Sequence, residues 1–450
     1  MQHQRREQNL LPQVNINIFF FAALGFVLGA LFYFYPLEDF VKYLGAGAAA
    51  AAVLYRPLWG FYLLAAVLPF VPDLSLLLFA IVIVSAFLLH RLRGGGLGLD
   101  AEIFHPGLLL FTAAVAVFTL VSVHPEGSFR DFSIYIAALA LLFVMVSTLN
   151  HREQLYRFLL VALLAAAVVS LYGVYQYIAG VEMGGTWVDE EMNPFLTTRA
   201  FSFFGNPNIL SMYLVGLLSF PLALGLSTLN LWKKFMFYAL TGLMLLTLVL
   251  TFSRAGWMGG AAAVLIFTLI KEKKLIFLCL GLAAVGLLLM PDVVYLRLYS
   301  AFSLQDTSNI YRLIIWREGW EMLRDFWFTG IGLGHEVFTE LYPFYMFTRD
   351  KAPFHLHSTY LQLLVEVGVV GFLLFGWMII GTLKKAYSCL SRSRDVLVHN
   401  VLLASTAGLG GLLVQGLWDN VLYMTKIILL FFLLLALIFL CAKITRTQES

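Results

Sequence analysis

The chain has 450 residues, of which 61% are hydrophobic and only 12% are Asp, Glu, Lys or Arg, against about 25% charged residues in ordinary soluble domains. This excess of apolar surface must face lipid, so the composition excludes a soluble protein and predicts an all-α protein that crosses the membrane many times. The net charge of +3 is too small to favour nucleic acid as a partner.

Apolar segments recur along the whole chain, as expected of membrane-spanning helices. The second and third segments are short, and Pro57 after Arg56 favours a helix start, so they form either two spans or one broken hairpin. We therefore predict about 12–14 transmembrane helices. The predicted spans are 16–35, 40–55, 57–71, 74–91, 106–123, 130–148, 153–178, 208–226, 231–251, 255–270, 274–290, 358–383, 396–418 and 423–443.

The first span follows a polar segment that contains Arg5 and Arg6. It is longer than the core of a signal peptide, and no small-residue cleavage site follows it, so we predict an uncleaved anchor. Most Arg and Lys residues lie in short connections on one side of the predicted bundle. The positive-inside rule makes that side cytoplasmic and places both termini there, with the opposite side facing out of the cell.

This orientation divides the chain into five parts. Two long connections, 179–207 and 291–357, lie on the outer side, where long loops usually carry function. The parts are a cytoplasmic tail 1–15, an N-terminal group of helices 16–290 that includes outer loop 179–207, a large outer loop 291–357, a C-terminal group of helices 358–443 and a cytoplasmic tail 444–450.

Two arginines are expected at the outer face. Arg199 lies just before Asn206-Pro207-Asn208, a sequence typical of a turn followed by a helix start; it is either a functional cation or an interfacial arginine that snorkels. Arg254 follows Ser253 between two apolar runs with no polar linker, which predicts a tight outer turn. An arginine there is costly without an anionic partner, so Arg254 is a candidate binding residue for an anion.

The large outer loop contains a helical stripe of apolar residues, with Arg312 among the polar residues beside it. This pattern predicts an amphipathic helix on the membrane surface. Residues 330–334, GIGLG, form a glycine-rich turn; no βαβ pattern surrounds it, so a dinucleotide site is excluded. The stripe consists of Ile310, Leu313, Ile314, Gly319, Trp320 and Leu323.

The sequence His355-Leu356-His357-Ser358 directly precedes a predicted span. Ser358 is the expected N-cap, and the positive end of the helix dipole should lower the pKa of a nearby histidine. A neutral imidazole can then act as a general base. Ser358, Gln362 and Glu366 fall on one helix face, and a glutamate inside a span is either functional or paired with a basic neighbour.

A metal site is not expected at these histidines. His335 and His124 are the other histidine candidates on this side, and the sequence shows no Cys or Asp cluster beside them. Metal sites normally need three or four ligands, so we predict neither a metal nor another cofactor.

Several of these motifs together resemble the O-antigen ligases and the related O-antigen polymerases. Asn is common in the family where this chain has Ser358, but serine is tolerated there. In chain order the motifs are RAFSFFGNPN at 199–208, SRAGW at 253–257, GIGLG at 330–334, and HS at 357–358 followed by Gly368 and Gly371.

The resemblance implies a metal-independent, inverting glycosyltransferase with one large outer loop between late spans. Its donor would be a glycan on undecaprenyl diphosphate, and its acceptor lipid A-core in a ligase or another lipid-linked glycan in a polymerase. It also implies that Arg199 and Arg254 hold the diphosphate and that His357 is catalytic. His355, Ser358, Gln362, Glu366, Arg312 and Asn208 are possible supporting residues. We favour the ligase.

Two other classes stay open. A transporter or lipid flippase would carry charges at mid-membrane and internal repeats, whereas here the unusual polar residues gather at one face. A peptidoglycan polymerase of the shape, elongation and division type would use an essential outer aspartate. Asp306 and Asp325 are the nearest candidates, and neither lies in a comparable motif.

Overall fold

A computed structural model describes residues 25–27, 29, 32–33, 36–94, 105–181, 198–288, 291–300, 307–347 and 353–449. Every regular element among these residues is helical. The predicted tail 1–15 and most of the predicted first span 16–35 lie outside the described residues, as does much of outer loop 179–207. The last helix continues to Glu449, through most of the predicted tail 444–450, and the division into five parts stays a prediction.

The helices that follow residue 36 are numbered in chain order, and two short 3₁₀ helices, Ser202–Phe204 and Tyr342–Phe344, lie between them. They are α1 Leu37–Tyr55, α2 Pro57–Val67, α3 Asp73–Arg93, α4 Pro106–Leu120, α5 Pro125–Thr148, α6 Arg152–Ala179, α7 Pro207–Leu217, α8 Ser219–Leu226, α9 Leu231–Leu250, α10 Arg254–Lys271, α11 Leu275–Leu288, α12 Asp292–Ser300, α13 Thr307–Phe326, α14 His335–Leu341, α15 Thr359–Leu390, α16 Val396–Gln415 and α17 Thr425–Glu449.

The hydropathy pattern predicted the positions of these helices well. Each predicted span from 40–55 onward corresponds to a described helix, or to α7 and α8 together for 208–226. Eight spans among the described residues are long and apolar enough to cross a membrane, and α2 and α4 are shorter apolar helices. The all-α, multi-pass class is therefore confirmed, while the number of 12–14 transmembrane helices stays a prediction.

The last helix, α17, lies at the centre of the bundle. Almost all of its apolar stretch is buried, and it packs against α5, α15 and α16. A helix that is hydrophobic on every side needs such surroundings. The turn that precedes α17 is thereby held close to the start of α15.

Close backbone contact fixes α10 against α16. A Cβ atom on Gly259 would lie 2.9 Å from the carbonyl oxygen of Gly411, and one on Gly411 would lie 2.7 Å from that of Gly259. Small residues permit this approach between membrane helices. Gln415 Nε2 donates to Ser211 Oγ at 2.8 Å and Ser211 Oγ to Ser253 Oγ at 3.2 Å, so the end of α16 lies beside the start of α10.

α15 is interrupted at Gly368, where φ is +63°. Residues 327–332 pack into the interruption: the backbone N–H of Ile331 donates to Val365 at 2.9 Å, and that of Val369 donates to Trp327 at 2.8 Å. Freed backbone groups in a membrane helix need such protein partners. The glycine-rich turn predicted at 330–334 is present, with positive φ at Gly330, Gly332 and Gly334.

The two ends of the bundle differ in composition. We call the end that contains residues 250–254, 353–359 and 416–425 the site end. The opposite end carries the basic connections, with contacts such as Arg152 to Asp395 at 2.9 Å and Lys271 to Asn400 at 2.6 Å. This separation agrees with the sequence pattern, and which end faces the cytoplasm stays a prediction.

Candidate functional site

His357 ends a short segment, 353–357, that leads into α15. Its φ is +48°, a left-handed conformation that costs a non-glycine residue about 1–3 kcal/mol. Ser358 is the N-cap and its hydroxyl accepts from the N–H of Leu361 at 3.5 Å, which confirms the predicted cap. Strain of this kind persists only where other contacts hold the backbone, and it is concentrated at functional sites.

Four side chains hold the backbone of this segment, which we call the histidine loop (residues 353–357). Each contact comes from a different part of the fold or from the loop itself, so the position of His357 depends on tertiary packing. The contacts are His335 Nδ1 to the carbonyl of Phe354 at 3.0 Å, Gln362 Oε1 to the N–H of Leu356 at 2.8 Å, Trp316 Nε1 to the carbonyl of Leu356 at 2.8 Å, and His355 Nδ1 to the N–H of His357 at 3.1 Å.

Asp419 lies beside the partly exposed His357. Its Oδ1 is 3.3 Å from His357 Nδ1, and its side chain is only 2% exposed. The carbonyl of Asp419 accepts from the N–H and the hydroxyl of Thr359 at 3.1 and 3.0 Å. The same turn that supplies the carboxylate therefore also caps α15, which fixes Asp419 relative to His357.

The charge state of Asp419 follows from its neighbours. Burial raises the pKa of Asp419, but the hydrogen bond from His357 and the charges of His357, His355 and Arg312 lower it by more, so its pKa lies below the ordinary value. Asp419 is thus a carboxylate at neutral pH. A carboxylate at Nδ1 orients an imidazole and leaves Nε2 to face a substrate.

His355 lies in a different environment from His357. It is buried. The centroid of its ring lies 4.2 Å from that of Tyr423 and 4.3 Å from that of His357. Burial, with the charge of His357, lowers the pKa of His355 to about 3. A neutral His355 can accept the N–H of His357, so the structure gives it a role in shaping the loop.

Gln362 and Glu366 share one face of α15, as predicted. Glu366 Oε1 accepts from Gln362 Nε2 at 2.8 Å and from the N–H of Gly334 at 3.4 Å. Gln362 in turn holds Leu356. The chain of contacts links the glycine-rich turn to the histidine loop, and the contacts recorded for Glu366 are with an amide and a backbone N–H, not with a basic residue.

Arg199 is buried, with 5% of its surface exposed. Its Nε donates to the carbonyl of Thr251 at 2.8 Å and its Nη2 to Asn208 Oδ1 at 3.3 Å. Two residues predicted as site candidates, Arg199 and Asn208, are therefore in direct contact. The interfacial alternative for Arg199 is wrong, because a snorkelling arginine exposes its head group.

Arg254 begins α10, directly after the tight turn that the sequence predicted. Its Nη1 donates to the carbonyl of Ser300 at 2.9 Å. Ser300 ends α12, and the same helix carries Arg297, which is buried and donates to the carbonyl of Phe252 at 3.4 Å. Arg297 thus packs against the turn that precedes Arg254.

Arg312 connects the arginines to the histidine loop. Burial, together with the charges of Arg297, Arg254 and Arg312, lowers the pKa of Arg199 to about 9. The charge of Arg312 also acts on His355 and Asp419. All four arginines remain cations at neutral pH, so a concentrated positive region adjoins His357 and Asp419. Such a region suits an anion with several charges.

Three groups could also hold a metal ion. His355, His357 and Asp419 each offer a ligand atom, and these atoms lie within 4.8 Å of one another. The sequence argument that no aspartate accompanies the two histidines is therefore wrong, because packing supplies Asp419. An ion would use the same two side chains that form the His357–Asp419 hydrogen bond, so a metal ligand set and an oriented base are alternative uses of one cluster.

α13 is a helix, as predicted, and it packs against α15. Ile315 and Met322 are buried, whereas Ile310, Leu313 and Trp320 are exposed, so one apolar side remains available to a membrane. Beside it lies an apolar cavity of about 560 Å³. The cavity lies next to the catalytic candidates, since Ser358 lines it together with Trp316, Arg317, Trp320, Tyr360, Leu361, Leu364 and Leu417.

Sequence reasoning missed Asp419 and Arg297. A signal existed for both: Asp419-Asn420 interrupts two apolar runs on the predicted outer side, and Arg297 is an outer-side arginine that the positive-inside rule disfavours. Asp325, the candidate for the peptidoglycan polymerase alternative, accepts from Tyr345 at 2.7 Å, and Asp306 lies outside the described residues.

The helices and the site define a multi-pass, all-helical membrane protein with its polar cluster at one end of the bundle. Residues 239–376 match the family model described as O-Antigen ligase, which confirms the superfamily that the motifs indicated. The matched segment contains Arg254, Arg312 and His357, whereas Arg199 and Asp419 lie outside it. A search of curated proteins found no match.

Proposed function

We propose that this protein is an O-antigen ligase, which transfers a glycan from undecaprenyl diphosphate to a hydroxyl of lipid A-core. The reaction takes place at the periplasmic face of the inner membrane, with both termini in the cytoplasm. The observation that carries the proposal is that His357, with Asp419 at 3.3 Å, lies at the same end of the bundle as the buried Arg199, which bonds Thr251, and Arg254, which begins α10. A cation site and an oriented histidine therefore lie side by side.

The arginines have the properties that a diphosphate leaving group requires. Arg199 and Arg254 come from different parts of the chain and both are anchored to backbone carbonyls, so their guanidinium groups are held in place before the donor binds. Charge-assisted hydrogen bonds to phosphate are strong and often bidentate. The same contacts stabilise charge that develops on the leaving oxygen, and Arg297 and Arg312 add to this charge.

His357 acts as the base in this proposal. Asp419 holds Nδ1, so Nε2 takes the proton from the acceptor hydroxyl. The acceptor oxygen then forms a bond to the anomeric carbon, the bond from that carbon to the diphosphate oxygen breaks, and the diphosphate leaves with the electron pair. Direct displacement inverts the anomeric configuration. The arginines supply the positive charge, so the step requires no metal ion.

The apolar cavity beside Ser358 and the exposed apolar side of α13 support a lipid-linked substrate. A lipid tail confines the reacting carbon to a fixed depth at the membrane surface. A histidine directly before the N-cap of a membrane helix lies at such a boundary. This arrangement favours a glycosyltransferase over a transporter, whose charges are expected at mid-membrane.

A transfer assay tests the proposal. Purified protein in nanodiscs is given an undecaprenyl-diphosphate glycan together with lipid A-core, a second undecaprenyl-linked glycan, or lipid II, each with and without EDTA. The ligase proposal expects transfer to lipid A-core in both conditions. Transfer only to the second glycan indicates the polymerase, and polymerisation of lipid II indicates the peptidoglycan enzyme. Loss of transfer with EDTA and recovery with a divalent ion would assign the His355–His357–Asp419 cluster to a metal.

A further inference from the structure

One aromatic side chain of the histidine loop is exposed although its backbone is fixed. Phe354 exposes 65% of its surface, yet His335 Nδ1 bonds its carbonyl at 3.0 Å. The two rings also stack, with centroids 4.8 Å apart and an angle of 28° between their planes. One face of the Phe354 ring is thus supported by His335 and the ring is held in a fixed orientation.

The surroundings of Phe354 are polar rather than lipid-like. His335 begins α14, which also carries the exposed Glu336 and the half-buried Thr339. Arg130 pairs with Glu336 at 3.1 Å. A membrane-facing aromatic residue does not need charged and hydroxyl groups beside it. Trp327 and Phe328 differ from Phe354 in this respect, because they are exposed where residues 327–332 pack into the interrupted membrane helix.

A rigid aromatic face with polar groups at its rim matches the chemistry of a sugar ring. A pyranose presents polarised C–H groups on its face and hydroxyl groups around its edge. The negative face of an aromatic ring attracts the C–H groups, and His335 and Glu336 can bond the hydroxyl groups. Binding sites commonly combine such an apolar surface with a few placed polar groups.

The position of Phe354 assigns it to the acceptor. Phe354 lies three positions before His357, so their Cα atoms lie no more than about 11 Å apart. Arg312, whose charge acts on Arg199, also acts on the other partners of the base, Asp419 and His355. We propose that the Phe354 ring, supported by His335, binds a sugar ring of the acceptor glycan by face-on stacking beside His357. This inference rests on the proposed glycosyl transfer, and it specifies what recognises the acceptor.

Direct binding tests the inference without a need for transfer. The probe is the core oligosaccharide released from lipid A-core by mild acid, and binding to protein in nanodiscs is measured by calorimetry and saturation-transfer NMR. Phe354→Ala should weaken binding about tenfold. Phe354→Tyr should bind as wild type does, because it keeps the aromatic face, and Phe354→Leu should resemble Phe354→Ala. The matched control is Phe344→Ala, since Phe344 is 82% exposed in the same outer loop and should not affect binding.

The transfer assay separates this inference from the proposed function. Phe354→Ala should raise the KM for lipid A-core about tenfold, while the KM for the donor and kcat stay near wild type. If Phe354→Ala has the wild-type KM for the acceptor, the inference is overturned but the proposed glycosyl transfer is not. If the oligosaccharide binds in a Phe354-dependent way but no transfer occurs, Phe354 is a glycan-binding residue and the proposed reaction is overturned. Wild-type affinity in Phe354→Leu, or no oligosaccharide binding by the wild type, would overturn stacking.

Discussion

Asp419 Oδ1 lies 3.3 Å from His357 Nδ1, although 62 residues separate the two in the chain. The contact depends on helix starts and turns: the turn after α16 caps α15 through Thr359, and His357 lies directly before Ser358, the N-cap of that helix. The orientation of the proposed base is therefore built into the junction of α15, α16 and α17. A change that moves one of these helix ends should lower the transfer rate even where the protein still folds.

His357→Ala should fold, bind the donor and lose transfer by at least about 10²-fold, the usual scale for a general base. The residual activity should also lack the acidic limb of the wild-type pH profile, because the titrating imidazole is gone. His355→Ala should lose less, since His355 is buried and its hydrogen bond to His357 is with the backbone N–H and not with the imidazole. Near-normal transfer by His357→Ala with none by His355→Ala would assign the base to His355. If both variants retain activity, another residue is the base, and Glu366 is the next candidate.

Asp419→Asn should lower kcat about tenfold or more and leave the KM for the donor unchanged, because the residue orients the base and does not touch the diphosphate. The low pKa of Asp419 also predicts a pH effect on stability. A depressed native pKa contributes stability that is present above the unfolded value, about 3.9, and is lost as pH falls through the native value. The difference in Tm between wild type and Asp419→Asn should therefore shrink below about pH 4. A constant difference down to pH 3 would contradict a structural role for the charge.

The fold was largely predictable because its helices are encoded locally. Apolar runs of membrane length and caps such as Ser358 and Asn206 are properties of neighbouring residues, and both caps are present. The interruption at Gly368 was not predicted. It depends on residues 327–332, which lie far away in sequence and supply backbone partners.

The site was predictable where a residue violates the local pattern. Arg254 and His357 stand out because charge and apolar runs rarely meet. Asp419 and Arg297 also violate the local pattern, but their partners could not be predicted, because those contacts are made across α10, α12, α15 and α16. The spacing of His355 and His357 gave no indication that packing would add a third potential ligand.

Arg199→Ala and Arg254→Ala should each weaken donor binding severely, because a lost charge-assisted contact to a desolvated phosphate costs on the order of 1.5–3 kcal/mol. Arg→Lys should rescue only in part, since lysine lacks the planar fork. The measurement is binding of undecaprenyl-diphosphate glycan by purified variants, with folding checked by thermal unfolding. A matched control is Arg130→Ala, an exposed arginine of the site end that pairs with Glu336. Wild-type binding by both alanine variants would remove the diphosphate assignment.

Segments 179–207 and 291–357 should face the outside and segments 91–105 and 384–395 the cytoplasm, because the basic connections lie at the end opposite the site. The native cysteines are first removed. A single cysteine then replaces either Phe344, which is 82% exposed in segment 291–357, or Ser391, which lies in segment 384–395. An impermeant thiol reagent applied to intact cells should label only the first. Labelling of the first solely after permeabilisation would reverse the orientation and with it the proposed periplasmic reaction.

Gly368→Ala should destabilise the protein and reduce transfer. A Cβ there would meet the backbone carbonyl of Phe328, which cannot withdraw because the neighbouring carbonyl of Trp327 accepts from Val369 at 2.8 Å. The positive φ adds about 1–3 kcal/mol of strain for a side chain. The backbone N–H of Gly334 donates a hydrogen bond to Glu366 beside this interruption. Movement of the interruption should therefore also shift Gln362 and the histidine loop.

Gly376→Ala is the matched control, because Gly376 belongs to the same helix and a Cβ there would meet nothing within 4 Å. Alanine stabilises a helix interior by about 0.5–1 kcal/mol relative to glycine, so its Tm should stay equal or rise and its transfer rate should not change. Thermal unfolding and the transfer assay measure both variants side by side. If Gly368→Ala behaves as Gly376→Ala does, the packed interruption of α15 does not position the base, and the contacts of Gln362 and Glu366 lose their proposed role.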